Sequence, residues 1–196
     1  MKVMGSLNPD SRTISQKKGA LSAINLIKEK RSGKLKGRTC ANVRPQRCYI
    51  TKEDASSPTI YLEYSFTSLI VTVHEGRDVV IFDVPREYLN ADMPEDKFIL
   101  LKVEVEFVDI MLEVKPKHNK NVCVENGVKV IYLRLLKALH GCMESALLWY
   151  DLYSNTLKSQ GFLINPYDRF IENITVQDKQ CKIAWYVDNH KVSHLD

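Results

Sequence analysis

The stretch Lys182-Ile183-Ala184-Trp185-Tyr186-Val187-Asp188-Asn189-His190-Lys191-Val192-Ser193 constrains this chain most. Two apolar, β-favouring runs flank an Asp-Asn pair, which predicts a tight β-hairpin with Asp188-Asn189 at its tip. A carboxylate there would be held on rigid strands yet project beyond them, a suitable place for a metal ligand. The same dipeptide also serves as ordinary turn material, because both residues tolerate positive φ. A second acid is needed to choose between the two.

Periodicity places other elements around this hairpin. After a loose start, with Asn8-Pro9-Asp10-Ser11 as a turn, residues 11–30 are predicted to hold a helix capped by Ser15. Its apolar stripe would be Ala20, Leu21, Ile24, Leu26 and Ile27. Residues 26–30 and 34–41, joined by Arg31-Ser32-Gly33, fit a hairpin rich in Lys and Arg. Ser56-Ser57-Pro58-Thr59 resembles a helix entry, leading into an apolar helix over 60–73. Residues 78–84 read as a buried strand, 85–89 as a helical stub, 98–103 as a strand and 104–114 as a helix. Asn126-Gly127 is a strong two-residue hairpin signal. Gly141 opens an amphipathic helix that Gly161 stops, and strands over 169–176 and 181–187 lead back to the tip.

At 196 residues the chain can bury a real core as one domain or slightly more. A composition 44% hydrophobic and 27% charged suits a soluble globular protein. No apolar run approaches a bilayer span and no signal core opens the chain, so no membrane partner is expected and the setting is cytoplasmic or nuclear. Five scattered cysteines without a Cys-x-x-Cys pair point to reduced thiols and away from structural zinc. Charge is distributed unevenly. Residues 12–48 hold eleven Lys or Arg against one acid, a balance of +10, whereas 49–196 hold 16 bases and 22 acids, a balance of −6. A basic arm on a mildly acidic body suits a polyanion-gripping segment beside a cation-binding one, or simply a solvated basic face.

The second acid is Asp83, which ends an apolar strand 105 residues before Asp188. An unpaired acid there is costly unless a cation sits nearby. A pair of Mg²⁺ ions provides that compensation in phosphoryl transfer, clamping the attacking and leaving oxygens. The structural alternative is that Asp83 caps the next helix through its backbone N–H groups.

Several further elements fall in a fixed order: Lys36-Gly37-Arg38-Thr39-Cys40-Ala41, Ser57-Pro58-Thr59, Asp83-Val84-Pro85-Arg86-Glu87-Tyr88-Leu89-Asn90-Ala91, Leu135-Leu136-Lys137-Ala138-Leu139-His140-Gly141 with Trp149-Tyr150, Gly161-Phe162 followed by Asp168, and Tyr186-Val187-Asp188-Asn189. In this order the chain resembles the reverse transcriptase of copia-type (Ty/copia) LTR retrotransposons. The resemblance implies an α+β fold, the fingers and palm of a right-hand polymerase without a thumb, over residues 24–194, with an N-terminal, partly helical extension over 1–23. It implies an RNA-directed DNA polymerase that extends a DNA primer on an RNA template with deoxynucleotides, using two Mg²⁺ or Mn²⁺ ions. Asp83 and Asp188 would be the metal ligands and catalytic acids, with Asn189 a compromised third. Lys28 and Arg38 would face the triphosphate, and Tyr88 would stack below the incoming sugar, or else be a core tyrosine. Lys34, Lys36, Arg44 and Arg47 would grip nucleic acid.

The sequence departs from that pattern at chemical positions more than at fold-setting ones. Asn189 replaces the second acid of its box and so removes a negative charge from a two-cation site. Glu87 stands for a small alanine and brings an anion towards the triphosphate. Arg86 replaces a smaller residue, His140 replaces a tyrosine, and Glu144 takes the approximate place of an amide. The expectation is an impaired or inactive polymerase. The alternatives are a non-catalytic nucleic-acid-binding module using residues 12–48 and a non-functional product.

Overall fold

The computed structural model describes residues 2–8, 11–48, 50–51, 57 and 59–195. Pro9 and Asp10 of the predicted turn, and Ser56 and Pro58 of the predicted helix entry, lie outside them. The architecture is mixed α+β, with two sheets. Its strands are β1 (Met4–Ser6), β2 (Leu21–Glu29), β3 (Leu35–Ala41), β4 (Asp78–Asp83), β5 (Leu100–Glu104), β6 (Val122–Glu125), β7 (Val128–Leu135), β8 (Leu163–Ile164), β9 (Ile171–Val176), β10 (Lys179–Tyr186) and β11 (Asn189–His194). The helices are α1 (Ile14–Lys18), α2 (Leu62–His74), α3 (Glu87–Asn90), α4 (Glu106–Val114) and α5 (Ser145–Ser159).

The first sheet runs β1-β7-β5-β2-β3, with β6 also on β7. Its core gathers Leu21, Leu101, Val103, Ile131, Leu133 and Leu135, with Val108 from α4 packed on them. The second sheet runs β4-β11-β10-β9-β8. There α5 lays Trp149, Tyr150 and Leu157 against Phe170, Ile183 and Trp185, the stripe expected of an amphipathic helix. The Asn126-Gly127 turn joins β6 to β7 with φ of 51° and 79°, both positive as a tight hairpin of this kind requires.

Four expectations are corrected. Residues 11–30 are not one helix. Thr13, not Ser15, caps the short α1 in a reciprocal box with Gln16. From Leu21 onward burial alternates, with Leu21, Ala23 and Asn25 turned inward, so pairing with β3 and β5 imposes a two-residue period. Residues 4–6, expected to be loose, form β1 on β7. Residues 78–83 form a strand as predicted, but every residue of it is exposed because it is a sheet edge. Gly141 does not open α5, which starts at Ser145; it sits in a preceding turn at φ 91°.

Candidate active site

Asp83 and Asp188 are brought together by strand pairing. Strands β4 and β11 run antiparallel with Asn189 opposite Asp83 and His190 opposite Phe82. The Val84 N–H donates to the Asp188 carbonyl at 2.8 Å. The hairpin tip, however, is Val187-Asp188, since Asn189 already belongs to β11 and pairs with Tyr186. The positive φ falls on Val187, at 54°, an unfavourable conformation for a β-branched side chain.

This strained turn is held from beneath. Trp149 on α5 donates its indole Nε1–H to the Val187 carbonyl at 2.8 Å. His190 Nδ1 lies 2.9 Å from the Asp188 carbonyl; a carbonyl only accepts, so the neutral ring carries its proton on Nδ1. The His190 ring lies parallel to Phe82 and to Trp185, with centroids 4.8 and 6.1 Å away. Burial pushes its basicity below that of an ordinary histidine.

A cavity of about 580 Å³ opens in front of the turn. Asp83, Asp188 and Tyr88 line it from one side, and Lys34, Lys36 and Arg38 from β3 and the loop before it. The basic hairpin reaches this place because its base is clamped: the Ala41 N–H donates to the His140 carbonyl at 2.8 Å. Gly141 makes that approach possible, since a Cβ there would collide with the Ala41 carbonyl oxygen. Lys28, Arg44, Arg47 and Asn189 do not line the cavity, so the predicted triphosphate pair Lys28 and Arg38 is split. Lys30 lines it and was not singled out from the sequence. The signal for it was only its place in a lysine-rich hairpin, which does not tell inward from outward.

Two residues singled out in the sequence, Glu87 and His140, meet each other. His140 Nε2 lies 3.2 Å from Glu87 Oε1, and Glu87 is 6% exposed. The Tyr88 ring meets the His140 ring edge-on at 4.7 Å, while also packing against the Trp149 cluster. Burial, then the nearby Glu87, Tyr186 and Asp188, push the Tyr88 hydroxyl above its ordinary pKa, so it stays protonated and able to donate. The capping alternative for Asp83 finds no support, as among the described residues no side chain caps the start of α3, whose N-cap Arg86 adopts φ 59°.

Behind the site, buried polar residues fix the loops. Gln46 Nε2 donates to Glu144 Oε2 at 3.1 Å, and Gln46 Oε1 accepts from the Met143 N–H. Lys97 reaches Glu144 at 3.6 Å. Asp168 is buried and accepts the Tyr61 and Phe170 N–H groups, both at 2.9 Å. Glu144 and Asp168 therefore serve as anchors.

Hard carboxylate oxygens are the donors magnesium prefers, so Asp83 and Asp188 fit one such ion. The Asn189 Nδ2 donates to Asp188 Oδ1 at 2.8 Å, which turns the amide nitrogen, not a lone pair, towards the acids and leaves a second ion short of an anionic ligand. Among the described residues no group of three or more His, Cys, Asp or Glu gathers in metal-binding geometry. No helix among them is long and apolar enough to cross a membrane. No family model, curated protein or solved structure matches the chain.

Proposed function

We propose that this chain is the fingers-and-palm portion of a copia-type reverse transcriptase, an RNA-directed DNA polymerase with an impaired nucleotidyl-transfer site. The observation that carries this reading is one cavity lined by a strand-end acid from the middle of the sequence, a hairpin-tip acid 105 residues later and a lysine- and arginine-rich strand. Its partners are an RNA template, a DNA primer and a deoxynucleoside triphosphate.

In that role Lys34, Lys36 and Arg38 offset the charge of the triphosphate, Arg38 with a fork that matches phosphate oxygens. Tyr88 presents its ring and its protonated hydroxyl to the incoming sugar. Asp83 and Asp188 hold a magnesium or manganese ion, which when bound polarises phosphoryl oxygens and steadies the primer 3′-hydroxyl. The impairment lies in Asn189, which donates to Asp188 where a carboxylate would add charge, and in the Glu87 anion beside the cavity. Those two residues also favour a second reading, a nucleic-acid-binding module without catalysis.

Primer extension on an RNA template with Mg²⁺ or Mn²⁺ separates them. The polymerase reading expects incorporation near the detection limit that rises at least about tenfold in Asn189→Asp, and vanishes when Asp188→Ala is added. Salt-sensitive binding without incorporation in any variant leaves the binding module. Absence of nucleic-acid binding at low salt ends both.

A further inference from the structure

Strand β4 ends the second sheet, and among the described residues nothing pairs with its outer side. Bonded pairs alternate along an antiparallel ladder. Because the Val84 N–H bonds to Asp188, the backbone groups of Val79, Ile81 and Asp83 point away from β11. Val79, Val80, Ile81 and Phe82 are 42, 61, 75 and 39% exposed. Proteins ordinarily blunt such an edge with lysine, proline or a bulge, and β4 has none of these.

The apolar surface continues onto α2, where Phe66, Leu69, Ile70 and Val73 are exposed. Leu69 and Ile81 line one groove of about 230 Å³ between helix and sheet. Both ends of the strand are acidic. From Leu62 to Asp83 the acids are Glu63, Glu75, Asp78 and Asp83, and the one opposing cation besides histidine, Arg77, is engaged by Glu75 at 2.6 Å and by Gln180. Lys191 is turned under α2 onto Ser68 and Thr72. A second copy is a poor occupant. In the two-fold register that matches the outward groups, Ile81 opposite Ile81, Asp83 stands opposite Val79. Among the described residues of this stretch the copy brings no free cation to the acids, Arg77 being held by Glu75 and Gln180.

The geometry points to this edge and groove as a docking site for a β-strand of a protein partner, apolar at its centre and flanked by lysine or arginine. The partner's main chain bonds to Val79, Ile81 and Asp83, its apolar residues cover Ile81 and Leu69, and its flanking cation meets Asp78, the strand-end acid that the metal site does not use. Such docking does not depend on polymerase ancestry.

The test uses two fluorescent peptides with the same alternating valine–threonine core, one flanked by lysines and one by glutamates, titrated into the purified chain by anisotropy. The lysine-flanked peptide binds about tenfold more tightly, and Asp78→Lys cuts that ratio to about threefold or less. Ile81→Pro removes an outward N–H without touching the β11 ladder and abolishes binding while circular dichroism stays unchanged. Should that variant unfold, the Asp78→Lys ratio decides. Equal affinity for both peptides, binding of neither, or dimerisation of the chain that Ile81→Pro abolishes would overturn the assignment.

Discussion

Asn189 stands directly across from Asp83 in the β4–β11 ladder, and its amide donates to the neighbouring Asp188 at 2.8 Å. The two acids thus share the site with a neutral hydrogen-bond donor instead of a third carboxylate. Replacing that amide by an acid removes the donation and sets like charges opposite each other. Asn189→Asp is expected to lose about 1 kcal/mol of stability without divalent ions and to regain it with Mg²⁺ by mass action. Urea denaturation with and without Mg²⁺ measures both effects; a magnesium-independent loss would count against a shared cation site.

The division of the basic residues is tested by salt dependence. Lys34, Lys36 and Arg38 line the cavity, whereas Arg44 and Arg47 do not. Alanine at the first three should reduce the slope of log K against log salt for single-stranded RNA by about 2, at roughly 0.7 for each phosphate no longer neutralised. Alanine at Arg44 and Arg47 should change it far less. Equal effects would place the binding face elsewhere on the arm.

Gly141 packs against Ala41 at the base of the basic hairpin. At φ 91°, with Ala41 against it, any side chain forces the hairpin base away from the His140 loop. Gly141→Ala should cost about 2–4 kcal/mol in urea denaturation. It should also weaken RNA binding, because Lys36 and Arg38 depend on that anchorage. An unchanged midpoint would show that the approach relaxes cheaply.

Glu172 gives stability a pH dependence. It is fully buried in β9, with Ser154 Oγ on one oxygen at 3.0 Å and, among the described residues, no partner for Oε2. Burial raises its pKa above the ordinary 4.5. A carboxyl raised on folding contributes stability that is complete below its unfolded pKa and lost as pH rises through the folded value. Stability should therefore fall on that rise, and Glu172→Gln should flatten the fall. Parallel pH profiles for the two proteins would contradict the assignment.

Much of the fold is legible in the residues, for identifiable reasons. Asn126-Gly127 can do little except turn, and Trp149, Tyr150 and Leu157 recur at helical spacing. The strand identity of residues 78–83 follows from its β-branched run, but its exposure does not, because edge or centre is decided by which strands arrive beside it. Leu21, Ile24 and Leu26 fit a helical stripe on paper, and only pairing with β3 and β5 makes them a strand. In the site, Asp83 could be picked out as a strand-end acid and Asp188 as a hairpin-tip acid. The Glu87–His140 contact could not, because each looks like an isolated departure until folding sets them 3.2 Å apart. The displacement of the tip to Val187-Asp188 was hidden for a similar reason: the positive φ is held on valine by Trp149, a tertiary contact that local turn preferences do not contain.

Titration of the purified chain with Mn²⁺, followed by electron paramagnetic resonance, tests most directly whether Asp83 and Asp188 share a cation. A single bound ion is predicted, lost in Asp83→Asn and equally in Asp188→Asn, and joined by a second in Asn189→Asp. Manganese binding that survives either asparagine substitution, or no binding at all, would contradict it.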